Sequence, residues 1–138
     1  GKRVLVAEDN PTTRELLEIL LRKEGLEIRM AENGRKAIDA LEQEEFDLII
    51  MDCQMPVLDG YQATRELRAR GLAVPVIALT AYARAEDESL CRAAGMDDFL
   101  SKPFRQAQLR QILQTWLLSP DPTIESDQLS LARTRGGG

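Results

Sequence analysis

Apolar positions along the chain alternate between two periods. Five short runs, Val4–Ala7, Leu26–Ala31, Phe46–Met51, Val74–Leu79 and Asp98–Leu100, are strand-like in length. The first, third and fourth are apolar on consecutive residues, as strands buried on both faces are. The second sets Leu26, Ile28 and Met30 against Glu27 and Arg29, which suits an edge strand. Pro75 stands near the start of its run, where a missing ladder donor is best tolerated. Helical spacing fills the intervals. Asn10-Pro11 offers a capping side chain and then a proline for the first helical position, Leu16, Leu17, Leu20 and Leu21 form a stripe, and Gly25 ends it. Ala37, Ile38 and Leu41 repeat the spacing after Asn33-Gly34, and Asp59 can cap a third helix with Ala63 and Leu67 inward, ending near Gly71. A fourth helix is predicted over 85–94 with its stop at Gly95. Leu109, Ile112, Leu113, Trp116 and Leu117 mark one face of a fifth.

Five strand–helix alternations predict an α/β fold with a parallel sheet, doubly wound, in the order 2-1-3-4-5. Ligands of such sheets bind outside the carboxyl ends of the strands, where the strand order reverses. From residue 119 the composition shifts to Ser, Pro, Asp and Thr and ends in three glycines. Residues 1–118 are therefore expected to form one domain, and 119–138 a linker or disordered tail.

Composition narrows the chemistry. The 138 residues include no histidine, which excludes a His-activated nucleophile, a His general base and a His metal ligand. Cys53 and Cys91 are too far apart for a CxxC pair, and two isolated cysteines fit a reducing cytosol. A net charge of −5 argues against a nucleic-acid surface. No apolar run approaches the ~20 residues that span a bilayer, and the N-terminus does not read as a signal peptide. A cytoplasmic protein without direct membrane contact is expected.

The strand ends carry the candidate chemistry. Strand one ends at Glu8-Asp9, strand three at Asp52, strand four at Thr80, and strand five at Lys102-Pro103. Adjacent strands one and three would bring three carboxylates into one crevice. Two unit charges ~4 Å apart repel by roughly 4 kcal/mol at an effective dielectric near 20. Such a cluster calls for a cation or a raised pKa, and an all-oxygen donor set selects Mg²⁺, Mn²⁺ or Ca²⁺. A hard ion, an exposed Asp, a hydroxyl and an ammonium together suit phosphoryl transfer to a carboxylate. Singly, Glu8-Asp9, Thr80 and Lys102 read more readily as a solvated loop or cap, a turn hydroxyl and a surface lysine, and Asp52 reads either way. Their placement on four different strand ends is what points to a site.

These positions lie in motifs that resemble the receiver domain of two-component response regulators. They are Val4-Leu5-Val6-Ala7-Glu8-Asp9-Asn10, Met51 to Gly60 (MDCQMPVLDG), Ala78-Leu79-Thr80-Ala81 and Leu100-Ser101-Lys102-Pro103-Phe104, in order across about residues 2 to 118. The wording MDCQMPVLDG, LTAYA and GMDDFLSKPF is similar to receivers of hybrid sensor histidine kinases.

The resemblance implies a flavodoxin-like fold and assigns roles. Asp52 would be the phosphoacceptor. Asp9, Asp52 and the backbone carbonyl of Gln54 would bind Mg²⁺, with Mn²⁺ as the alternative, and Glu8 would act largely through water. Lys102 would pair with the phosphoryl group and precede a cis peptide to Pro103. Thr80 and Phe99 would form a switch pair that reshapes the face of the fourth helix, fifth strand and fifth helix. Gln54 and Tyr82 would tune the phosphoryl lifetime. The donor would be a histidine kinase or a histidine phosphotransfer domain, and a dimer through the switching face is a further expectation. Two features depart from the commonest pattern: Glu-Asp stands for Asp-Asp at residues 8 and 9, and Phe99 for the frequent Tyr.

Two rivals remain at this level. A haloacid-dehalogenase-type phosphatase also uses a strand-end Asp, Mg²⁺ and Lys, but needs a second Asp where Gln54 stands. A non-phosphorylated pseudo-receiver usually lacks the acceptor, the acids or the lysine, all of which are present here. Gly1 directly before strand one and the linker-like tail read as cut points in a larger kinase, whose membrane anchoring would lie elsewhere.

Overall fold

A computed structural model describes residues 2–81 and 84–117. Tyr82 and the expected tail from 119 onward fall outside the described residues. The five strands are β1 (Arg3–Ala7), β2 (Glu27–Ala31), β3 (Leu48–Asp52), β4 (Val76–Thr80) and β5 (Asp98–Ser101). They alternate with α1 (Pro11–Lys23), α2 (Gly34–Gln43), α3 (Gly60–Ala69), α4 (Ala85–Ala94) and α5 (Gln106–Trp116). All strand pairs are parallel and the order is β2-β1-β3-β4-β5, so the predicted doubly wound sheet is the one observed.

Burial follows the apolar pattern. β3 and β4 are buried at every position and β1 at all but Arg3, whereas edge strand β2 is fully buried only at Ala31. Leu5 and Ala7 of β1, Ile49 and Met51 of β3, and Val76 and Ala78 of β4 share one face of the sheet. They form a core with Ala37 and Ile38 of α2, Ala63 and Leu67 of α3, and Cys91 of α4. The third apolar run loses its first two residues: Phe46 and Asp47 precede β3, and the Arg3 guanidinium lies over the Phe46 ring, 5.9 Å from its centroid.

The helix starts conform to the predicted capping. Asn10 Oδ1 accepts hydrogen bonds from Thr12 and Thr13 N–H at 2.9 and 3.2 Å. Asp59 and Gln62 form a reciprocal capping box at α3. Gly25, Gly71 and Gly95 all take positive φ after their helices. One expectation is corrected. Leu16 does not belong to the buried stripe of α1; it is 44% exposed, while Leu17, Leu20 and Leu21 are buried. At about 100° per residue, Leu16 sits at the edge of the arc centred on the other three.

The chain divides into two compact units, residues 1–106 and 107–138. The first holds the sheet and α1 to α4. The second takes in most of α5, whose Leu109 and Leu113 are buried. No described helix is long and apolar enough to cross a membrane.

Candidate functional site

The carboxyl ends of β1, β3, β4 and β5 bring the strand-end residues of the sequence into one cleft of about 480 Å³. Glu8 follows β1, and its N–H donates to the Ala31 carbonyl at 3.0 Å, extending the pairing with β2 by one residue. That step draws the Glu8 side chain fully inside, whereas Asp9 is exposed. Asp52 is the last residue of β3 and only 4% exposed. Its Oδ1 accepts the Gln54 N–H at 3.1 Å. One carboxylate oxygen from each of Glu8, Asp9 and Asp52 lies within 4.8 Å of the other two.

Lys102 supplies the balancing charge. Its own N–H donates to the Thr80 carbonyl at 2.7 Å, fixing the chain as it leaves β5, and the peptide to Pro103 is cis as expected. From there the ammonium reaches Asp52 Oδ2 at 3.2 Å and Glu8 Oε1 at 3.1 Å. The latter contact is an ion pair without hydrogen-bond alignment, which leaves a fully buried carboxylate oxygen incompletely satisfied. Burial, assisted by the neighbouring Asp52 carboxylate, pushes Glu8 up to about 7 against the Asn10 N–H that stabilises its charge. Burial pulls the Lys102 ammonium down, but the Glu8 and Asp52 carboxylates outweigh it and the net shift is upward.

Thr80 and Phe99 occupy one face of the sheet. Ala78 pairs with Phe99 and Thr80 with Ser101, so the Thr80 and Phe99 side chains are diagonal neighbours across β4 and β5. Thr80 is buried and lines the cleft; Phe99 is half-buried against the core. Gln54 lines the same cleft beside Asp52.

The structure adds residues that spacing alone did not single out. A Cβ at Gly60 would collide with the carbonyl oxygen of Asp52, and one at Gly34 with that of Leu58, whose oxygen accepts the Gly34 N–H at 3.0 Å. The loop from Cys53 to Asp59 is thus clamped between β3 and the starts of α2 and α3. Within it the exposed Val57 takes a φ of +72°, a left-handed conformation costly for a β-branched residue. Tyr61 and Asp87 complete the wall, and Asp87 Oδ2 is buried without a partner among the described residues. The two thiols are not reactive groups of the site: burial raises Cys53 to about 12 and also raises Cys91.

The donor set tests well against a hard divalent ion. All three acids present oxygen, and the buried Glu8 Oε1, though ion-paired with Lys102, accepts no hydrogen bond among the described residues. Mg²⁺ takes this kind of site, through one or two carboxylates with several waters retained.

Comparison with known proteins agrees with this geometry. The sequence matches the response regulator receiver domain family over residues 4–114. It is 39% identical over 138 residues to the sensor protein GacS of Pseudomonas syringae, a match covering 94% of this chain and 15% of that protein. The GacS kinase of Pseudomonas protegens is 40% identical over 119 residues, and there the chain spans 13% of the relative's length. Among solved structures it resembles the receiver domain of a Pseudomonas aeruginosa sensor histidine kinase, crystallised with a magnesium ion coordinated in the active-site cleft. The TM-score is 0.79 at 46% identity, covering 86% of this chain and 99% of the other. It also resembles, at TM-score 0.80 and 29% identity, a chain in the co-crystal of yeast (Saccharomyces cerevisiae) Ypd1, a histidine phosphotransfer protein, with the receiver domain of its response regulator Ssk1. That match covers 87% of this chain and 94% of the other. The chain belongs to the response regulator receiver domain family.

Proposed function

We propose that this receiver accepts a phosphoryl group on Asp52 from a phosphohistidine and returns it to water. One observation carries the reading: three carboxylates converge within 4.8 Å, and the Lys102 ammonium bridges Asp52 and Glu8. An Asp52 carboxylate oxygen attacks phosphorus, the bond to the donor histidine nitrogen breaks, and that nitrogen keeps the electron pair. Lys102 offsets charge on the transferring oxygens, and the Thr80 hydroxyl donates a hydrogen bond to one of them. Glu8, Asp9, Asp52 and the Gln54 carbonyl are the residues that would hold Mg²⁺, which would supply positive charge to offset that of the reacting oxygens. Thr80 and Phe99 then read the new charge and pass it to the face that includes α4 and β5. Gln54 and Tyr82 set the rate at which water attacks the acyl phosphate.

The partner is a histidine phosphotransfer domain or a histidine kinase, in a complex of the kind named for Ypd1 and Ssk1. A hybrid histidine kinase is the proposed parent, given the short share of the GacS proteins that the chain spans. A cytoplasmic setting fits two buried, unpaired thiols. A haloacid-dehalogenase-type phosphatase is disfavoured, because residue 54 is Gln and supplies no acid for turnover.

The test is intact-mass labelling with a small-molecule acyl phosphate. The wild-type chain should gain one phosphoryl group only when Mg²⁺ is present, and Asp52→Ala should gain none. Labelling of Asp52→Ala at the wild-type level would overturn the assignment.

A further inference from the structure

Arg14 takes no part in the chemistry above, yet its guanidinium holds the acidic loop at two points. It is the fourth residue of α1, and its Nη1 donates to the carbonyl oxygen of Glu8 at 3.0 Å and to that of Asp9 at 3.2 Å. The peptide group joining Asp9 to Asn10 is therefore held at both ends: its oxygen by Arg14, its N–H by Glu8 Oε2 at 2.9 Å. The preceding peptide, between Glu8 and Asp9, is held at its oxygen. Peptide groups are planar, so pinning the two that flank Asp9 fixes the direction of its Cα–Cβ bond. That matters at Asp9 in particular. Its carboxylate is exposed and accepts no hydrogen bond among the described residues, so its aim rests on the backbone.

We propose that Arg14 is a positioning residue for the cation site, aiming the Asp9 carboxylate at the ion without touching it. The inference rests on the metal-binding reading above. Two effects of Arg14 on a cation have opposite signs, which makes the idea decidable. As a nearby positive charge Arg14 repels Mg²⁺, so by electrostatics alone its removal would tighten binding. As the clamp on the loop it aids binding, so its removal would weaken it. Loss of groups that orient metal ligands typically costs 10–100-fold in affinity.

The experiment is calorimetric titration of the full 138-residue chain with Mg²⁺, for wild type, Arg14→Met and Arg14→Gln. Thermal unfolding in chelator shows whether each variant is folded. The expected result is a Kd raised about tenfold or more in a folded variant. Labelling by an acyl phosphate should fall at limiting Mg²⁺ and recover once Mg²⁺ exceeds the new Kd. If Arg14→Met does not fold, Arg14→Gln is judged by the same criterion. A Kd within twofold of wild type, or a tighter one, would overturn the positioning role while leaving the metal site intact. A wild-type chain that binds no Mg²⁺ would remove the metal reading, and this inference with it.

Discussion

Glu8 and Asp9 are neighbours in sequence with opposite surroundings, one fully buried and the other exposed. The pair was legible as a candidate site, but the asymmetry was not. It arises because one extra backbone bond to Ala31 carries β1 past Ala7 and points the longer side chain inward. The consequence is a pH dependence of stability in the metal-free protein. The carboxyl of Glu8 titrates near its ordinary 4.5 when unfolded but at about 7 when folded, held up by burial and by Asp52. Between those values the folded state binds more protons than the unfolded one, so stability falls as pH rises through the window. In chelator, wild type should lose melting temperature relative to Glu8→Gln between about pH 5 and pH 8. A constant difference between the two across that range would show that Glu8 is ionised in the fold at both ends. Arg14 was invisible to spacing for a different reason: its contacts are to main-chain oxygens, which leave no pattern in side-chain types.

At the level of elements, the amphipathic periods and the capping residues predicted all five helices and all five strands, with boundaries off by one or two residues. Asn10, Asp59 and Gly95 did so through local backbone chemistry, which neighbouring residues alone decide. Leu16 was misplaced because a stripe of four leucines spans more of the helix surface than the sheet can cover. The close approach of α3 to β3 was also hidden. Asp59 as the cap already puts Gly60 at the first position of α3, but nothing in the sequence marks that it lies against the Asp52 carbonyl with no room for a Cβ. Gly60→Ala should therefore lower unfolding stability by about 2 kcal/mol, as overpacking does, with the denaturant slope unchanged. A change of less than about 0.5 kcal/mol would mean that the loop from Cys53 to Asp59 yields easily, contrary to the clamp described here.

For the whole molecule, the order β2-β1-β3-β4-β5 turns four separated motifs into one cleft. That much followed from alternation and handedness, since few topologies satisfy both. The charges in the cleft were legible as well, but their balance was not: Lys102 bridges Glu8 and Asp52 across 94 and 50 residues of sequence, respectively. The absence of histidine now has a sharper meaning. These 138 residues hold the proposed acceptor and the lysine but contain no histidine, so a phosphohistidine donor as proposed would have to be another polypeptide or another part of a longer chain. The most direct test of the account is to locate the phosphoryl group itself. After labelling with an acyl phosphate in Mg²⁺, borohydride reduction converts an aspartyl phosphate to homoserine, which peptide mass spectrometry can place. Homoserine is expected at residue 52, with no modification at Asp9 or Glu8. Homoserine at another acidic position, or none under conditions in which the intact chain gains a phosphoryl group, would contradict it.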